Sequence, residues 1–570
     1  MWLPRCLLTK LNLVVVTHRG KKYPVEVDAS STGEVFKYQI FSLTGVEPER
    51  QKVVVKGSQL KDDTDMGSLG LKAGQTIMML GTPGEGGGLA RPTEKVKFVE
   101  DMTEAEQAQQ VGATPAGLQN LGNTCYLNST LQALRSIPEL QDALGKYEFK
   151  DTTGMGSSPH LDMTNQLRDL YKMMGETQSG FPPLAFLNAL RLAFPQFAEQ
   201  SKSGHGYAQQ DAEEAWSQIV AQLRQKLQLK GGEDSSQSVS FVDRYLSGEF
   251  TSTLECDEEA AREGGEEPVT SREPFLKLNC HIDGATNHLR DGILNGLNEK
   301  IEKKSSVLDR DAIYTKKSKI SRLPKHLTVH FVRFFWRRDV QKKAKIMRKV
   351  TFPQELDVVE FCTDELRKAL VPVRDKVREI RKDEEDIDRA RKRRKKNHED
   401  EVSEPTGPLE KRTAKKEEKK EEEKKPATTS ADGDTEMAET YKTDAEFEAE
   451  KDAALLAAKK ELHGLINPEL LKDEGANQSG LYELRGVVTH QGSSADSGHY
   501  TAYVKKTAPV DPKTGKKGEE DGNWWWFNDD KVSEVPSDKI ATLAGGGESH
   551  SALILLYRAI PLPTAEGMME

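Results

Sequence analysis

Gly117-Leu-Gln-Asn-Leu-Gly-Asn-Thr-Cys-Tyr-Leu-Asn-Ser129 runs directly into Thr-Leu-Gln-Ala-Leu-Arg135. Leu127, Leu131 and Leu134 recur at helical spacing, so a Gly- and Asn-rich loop becomes a helix with Cys125 at the junction. A thiol there meets free backbone N–H groups and the positive end of the helix dipole. Both favour the thiolate, which is the nucleophile. Gly117 and Gly122 let the backbone take tight conformations beside it. Asn120 is a candidate amide donor to the oxygen that turns negative when a thiolate attacks a carbonyl. A lone Cys at a helix start is more often a small buried apolar residue, however. What changes the balance lies far downstream.

Gly486–Val504 reads as strand, Gly/Ser-rich loop and strand, with His499 opening the second strand. Trp524-Trp-Trp-Phe-Asn-Asp-Asp-Lys-Val532 is a short aromatic strand ending in Asn528, Asp529 and Asp530. A nucleophile, a base and an orienting group therefore follow one another along the chain.

These segments resemble the Cys, His and Asn/Asp boxes of the ubiquitin-specific proteases, a family of papain-like cysteine peptidases. Gln209-Gln-Asp-Ala-Glu-Glu-Ala-Trp216 resembles a further block of that family, departing at Ala215, where Phe is usual. The resemblance implies a papain-like catalytic domain over 113–561, in which a helical lobe around Cys125 faces a β-rich lobe carrying His499. It implies hydrolysis of the amide at the C-terminal Gly of ubiquitin. Cys125 would be the nucleophile and His499 the general base and acid. Asn528 would orient the imidazole, Asn120 would serve the oxyanion, and Asp529 would assist. Gly498 and Tyr500 would border the channel for ubiquitin's tail. Helices are expected over Ser129–Leu144, Asn165–Met174, Pro183–Phe194 and Gln210–Gln228, and strands over Val242–Phe250, Phe275–Asn279 and Leu327–Phe334.

Ahead of this domain, residues 11–82 show a β-β-α-β-β order that resembles ubiquitin, so the fold class is α+β with an N-terminal β-grasp domain. On that match His18, Val54 and Leu80 fall at the positions of ubiquitin's apolar binding patch; filling the domain's own core is the alternative. Gly-Thr-Pro-Gly-Glu-Gly-Gly-Gly88 follows in place of a cleavable end, and residues 83–112 read as a flexible linker. Residues 1–10 form an N-terminal extension without a signal-peptide pattern, and 562–570 a tail.

The 570 residues carry a net charge of −10, which makes nucleic acid an unlikely partner for the whole chain. No apolar run is long enough to span a membrane. Five widely spaced cysteines are no disulfide framework and suit a reducing compartment. Cys256 and Cys280 lack the nearby Cys partners that a zinc site needs, so no metal and no cofactor are expected. Residues 373–450 read as a charged insertion, largely disordered, with a charged helix at its start. Arg389–Lys396 is either a nuclear-import or nucleic-acid patch or a solvated helix face.

The ubiquitin-like domain, the absent zinc cysteines and Val332-Arg-Phe-Phe-Trp-Arg-Arg338 resemble the proteasome-associated branch of the family. That implies docking on the base of the proteasome's regulatory particle through the ubiquitin-like domain. It also implies two loops that block the ubiquitin channel, about Phe335–Lys345 (with Phe335 and Trp336) and Gly492–Ser497 (with Ser493, Ser494 and Ser497). Ubiquitin and its conjugates are the expected partners, the free chain a monomer, and its location the cytoplasm and nucleus. A mainly non-catalytic ubiquitin-binding regulator is the competing function.

Overall fold

The computed structural model describes residues 12–81 except 29, and 102–338 except 111, 150–157, 202–205 and 230–237. It further describes 342–403, 444–508 except 496, 518 and 520–564. The chain divides into two compact units, Met1–Asp101 and Met102–Glu570.

In the first unit, β1 (Asn12–His18), β2 (Lys21–Val27), β3 (Lys52–Val55), β4 (Ser58–Gln59) and β5 (Thr76–Leu80) form a sheet in the order β2-β1-β5-β3-β4. The central pair, β1 and β5, is parallel. Helix α1 (Gly33–Thr44) buries Phe36 and Ile40 against Val14, Val16, Val53, Ile77 and Met79 from one sheet face. Strand alternation sends Val54, Met78 and Leu80 to the other face, where Met78 and Leu80 are more than half exposed. The expected trio is thus split. His18 turns inward and its Nδ1 lies 3.2 Å from the Met79 carbonyl; Met78, cross-strand from Val54, takes its place on the outer face.

The second unit begins earlier than the expected residue 113. Helix α2 (Glu104–Ala108) is closed by a capping box from Thr103 and Glu106. It is tied down by Gln178 Nε2, which donates to the Gln107 carbonyl at 3.0 Å, and by Thr177 and Ser179 on Glu104. The helical lobe follows: α3 (Cys125–Arg135), α4 (Pro138–Gly145), α5 (Met163–Met174), α6 (Leu184–Ala193) and α7 (Ala212–Lys226). The one helix expected over Ser129–Leu144 is two, because Pro138 cannot donate to the preceding turn and starts a new helix instead. From Leu127 to Leu134 α3 is buried on every side, so it is a central shaft, not a surface helix.

A two-strand ribbon, β6 (Gln228–Leu229) with β7 (Val239–Ser240), leads to α8 (Phe241–Tyr245). Ser240 caps α8 through the Val242 N–H, so the strand expected from Val242 begins only at Gly248. Strand β8 (Gly248–Cys256), helix α9 (Glu259–Glu263) and β9 (Val269–Phe275) come next, then β10 (Leu278–His281) and α10 (Leu289–Leu297). Strands β11 (Asn298–Lys304) and β12 (Asp311–Arg322) complete an antiparallel sheet ordered β11-β12-β8-β9. The larger sheet gains β13 (His326–Val332), β14 (Phe334–Arg337), β15 (Lys342–Lys345) and β16 (Glu355–Asp357).

Helix α11 (Asp364–Ser403) then extends for about 60 Å, and α12 (Asp444–Leu465) packs along it. Here the expected insertion boundary at 373 is corrected. Val373, Val377 and Ile380 form a row at helical spacing that is fully buried with Leu462 and Leu481, so α11 belongs to the folded body there. A Lys376–Glu461 ion pair beside this row and, farther out, Lys459–Glu384 and Arg391–Asp452 pairs bridge the two helices. The expected disorder over 405–434 lies outside the described residues.

After α13 (Pro468–Lys472) come β17 (Leu481–Ser494), β18 (Ser497–Lys505), β19 (Trp524–Asn528), β20 (Lys531–Val535), α14 (Asp538–Ala541) and β21 (Ser551–Ala559). The main strand order is β10-β13-β21-β17-β18-β19-β20. Of its central strands, β21 is almost continuously apolar and β17 is buried from Leu481 to His490 apart from a half-buried Glu483, as strands covered on both faces are. Cys256 lies in the smaller sheet and Cys280 in the larger. Among the described residues no three His, Cys, Asp or Glu side chains gather as metal ligands, and no helix is long and apolar enough to cross a membrane.

Candidate active site

The loop before α3 is shaped by its own asparagines. Asn120 Oδ1 accepts from the backbone N–H groups of Gly122 and Thr124 at 3.0 and 3.2 Å, and Thr124 Oγ1 accepts from Leu121 N at 2.9 Å. Gly122 and Asn123 both take left-handed conformations, with φ of 95° and 54°. This sharp entry delivers Cys125 as the first residue of α3, 3% exposed. A Cβ on Gly117 would sit 2.4 Å from the Asp530 carbonyl oxygen, so glycine is needed there for the end of β19 to approach.

His499 and Asn528 are brought together by the pairing of β18 with β19. The imidazole Nε2 lies 2.6 Å from Asn528 Oδ1. An amide oxygen only accepts, so Nε2 carries the proton and Nδ1 keeps its lone pair. Tyr500, the next residue on β18, gives its backbone N–H to the Cys125 sulfur. The strand that carries the imidazole is therefore laid against the thiol. The Tyr500 side chain points away into the core, 4.6 Å between its ring centre and that of His490, so its ring does not border a substrate channel. Gly498 is also held for an internal reason. A Cβ there would meet the Gln491 carbonyl at 2.2 Å and His490 Nε2 at 2.6 Å, and its φ is 135°.

The thiol departs from the sequence expectation. Burial pushes it up to about 11, and the Asp529 carboxylate adds to the rise. The N–H groups of Tyr500, Tyr126 and Cys125 itself pull the other way without prevailing. Desolvation thus outweighs the three N–H bonds and favours the thiol over the thiolate.

Asp529 performs a task that the sequence did not announce. In the left-handed region (φ 53°), it accepts from Asn120 Nδ2 at 3.0 Å on one carboxylate oxygen and from Asn128 Nδ2 at 2.8 Å on the other. Its carbonyl takes the Leu118 N–H at 2.9 Å. Asn528 thus serves the imidazole while Asp529 clamps the loop and the first turn of α3. One amide hydrogen of Asn120 is used in that clamp, leaving the other for a developing oxyanion. Asn128 went unassigned in the sequence, although it lies one helical turn after Cys125.

The two expected blocking segments meet each other. Hairpin β14–β15 pairs with the end of β17 through Ala344 and Ser494, and Ser494 Oγ donates to the Lys343 carbonyl at 3.0 Å. Phe335 and Trp336 are about half exposed, Ser493 and Ser497 are exposed, and 339–341 and 496 lie outside the described residues. Lys345 is buried and donates to the His490 carbonyl at 2.7 Å; burial pulls its pKa down to about 8. Burial also takes His490 to about 3 and His550 to about 4, so both are neutral at physiological pH. At the N-terminus of α7, burial raises Asp211 to about 6, while its bond from the Glu213 N–H and the Lys343 ammonium on the hairpin oppose the rise.

Residues 116–557 match the family model described as ubiquitin carboxyl-terminal hydrolase, and residues 13–84 match the ubiquitin family. The chain belongs to the ubiquitin carboxyl-terminal hydrolases. It is 42% identical over 548 residues to ubiquitin carboxyl-terminal hydrolase 6 of Schizosaccharomyces pombe, covering 96% of this chain and 98% of that one. It is 36% identical to ubiquitin carboxyl-terminal hydrolase 7 of Arabidopsis thaliana, covering 94% and 96%. With ubiquitin carboxyl-terminal hydrolase 14 of Caenorhabditis elegans it shares 32% identity, covering 96% and 93%. This hydrolase is therefore a cysteine-type deubiquitinating enzyme with an N-terminal ubiquitin-like domain.

Proposed function

We propose that this hydrolase removes ubiquitin from conjugates held at the proteasome, recycling ubiquitin and regulating degradation, with its ubiquitin-like domain as the docking module. The observation that carries the chemistry is the His499–Asn528 pair, with His499 on the strand that also donates to the Cys125 sulfur. His499 Nδ1 takes the thiol proton, and the thiolate attacks the carbonyl carbon of ubiquitin's last Gly. The oxyanion rests between the Cys125 N–H and the free amide hydrogen of Asn120. The imidazolium returns its proton to the leaving lysine amine, which departs as the thioester forms. Water, deprotonated by His499, then releases ubiquitin and restores the thiol.

A thiol near 11, together with a hairpin latched to the end of β17, the neighbour of the strand that carries His499, supports a free enzyme with low activity that rises on docking. The outer-face apolar row of half-buried Val54 and exposed Met78 and Leu80 supports docking through the sheet of the ubiquitin-like domain. The regulatory particle's base is the proposed receptor. Cytoplasmic and nuclear location remains part of the proposal, resting on the basic run Arg389–Lys396. The test is hydrolysis of ubiquitin bearing a C-terminal fluorogenic amide, with and without proteasome. Gating of about 1–3 kcal/mol predicts a rise of roughly 5–150-fold; a rise of no more than about twofold refutes it.

A further inference from the structure

Behind the catalytic centre lies a groove of about 400 Å3, within the range of about 300–1,000 Å3 usual for ligand clefts. Its walls come from the three elements that carry Cys125, His499 and Asn528. From α3 come Gln132 and Arg135, from β18 Val504 and Lys505, and from β19 Trp525 and Phe527. Pro115, Pro138 and Gln141 close the rim.

The charges in this groove do not balance. Arg485 and Lys505 share Glu483 and Glu520, with Arg485–Glu520 at 2.9 Å, Arg485–Glu483 at 3.3 Å and Lys505–Glu520 at 3.0 Å. Two cations there meet two carboxylates. Arg135 is different: among the described residues its guanidinium has neither a carboxylate nor a hydrogen-bond acceptor. Burial holds its pKa below the ordinary value. A cation in the last turn of a helix offsets the dipole, but an exposed side chain does that as well. Nothing in that role asks for five N–H donors to be partly buried beside an indole and two prolines. Such a guanidinium is built to hold a carboxylate in a fixed geometry.

We propose that this groove docks a short acidic peptide segment of a partner protein, its carboxylate on Arg135 and a neighbouring apolar side chain against Trp525 and Pro138. One unpaired cation is too little for a polyphosphate or nucleic acid on a chain of net charge −10. The aromatic and proline walls suit a peptide side chain.

The test uses the full chain and a fluorescein-labelled hexapeptide of alternating glutamate and leucine, followed by anisotropy. Its counterpart with glutamine for glutamate should bind about tenfold more weakly. Arg135→Gln should weaken the acidic peptide by about the same factor, and so should Gln141→Glu on the rim, which also removes the bond from Gln141 Nε2 to the Arg135 carbonyl. Should Arg135→Gln fail to fold, Gln141→Glu decides alone. Equal binding of the two peptides, or undiminished binding by Gln141→Glu, overturns the proposal. So does complete displacement of the peptide by millimolar inorganic phosphate, which would mark a simple anion site.

Discussion

Asp529 and Asn528 stand side by side yet serve different partners, and substitution separates them. Asn528→Ala removes only the group that orients His499. Asp529→Ala frees Asn120 and Asn128 together and loosens the loop that presents Cys125. Turnover should therefore fall further for Asp529→Ala than for Asn528→Ala, with a lower melting temperature only for the former. Asn120→Ala should cost roughly 10²–10³ in kcat with KM little changed, as for other lost oxyanion donors; steady-state kinetics of the three variants checks the order. The thiol gives a pH prediction. A folded-state value near 11 means that alkylation of Cys125 by iodoacetamide in the free enzyme keeps rising well past pH 9. A plateau at pH 7 would show that a thiolate already rests there. Cys125, His499 and Asn528 were legible because each sits in a local signature of glycines and aromatics. The raised thiol was not legible, because burial of α3 on all sides is a property of the assembled lobes.

The hairpin β14–β15 is anchored by two buried cations that, among the described residues, bind carbonyls and no carboxylate. Arg333 spreads its guanidinium over the carbonyls of Ala552, Ile346, Arg348 and Ala544 at 2.8–3.2 Å, gathering the base of the hairpin with the segments around β21. Lys345 pins its far strand to β17. Lys345→Met should leave the catalytic groups in place and raise the basal rate of the free enzyme about fivefold or more, if the latch contributes on the order of 1 kcal/mol. An unchanged basal rate would remove Lys345 from any gate. In the sequence, Lys345 is one lysine among several, and only the register of β15 reveals which one turns inward. The helix at 373–380 was likewise obscured: three apolar residues among many charges read as a charged excursion, whereas their spacing puts them on one buried stripe.

Across the molecule, the β-grasp unit and the two-lobed hydrolase were both readable from motif order and strand alternation, while which apolar side chains stay outside was settled only by packing. Leu80→Asp, on the outer face of the first unit, should abolish proteasome-stimulated activity and leave basal hydrolysis unchanged; co-sedimentation with proteasome tests the docking arm. The buried histidines give the whole fold an acid limit. His490 and His550 have folded-state values near 3 and 4, below the ordinary 6.5, so the unfolded chain binds more protons. Their contribution to stability is complete above about pH 6.5 and drains away as pH falls toward 4 and 3. His490→Phe should flatten the decline in urea midpoint over that window.

The most direct measurement is covalent capture by ubiquitin carrying a C-terminal electrophile, with the modified peptide mapped by mass spectrometry. A single adduct at Cys125, lost in Cys125→Ala and slowed in His499→Ala, is the predicted result. An adduct on another residue, or full labelling of the Cys125→Ala protein, would contradict it.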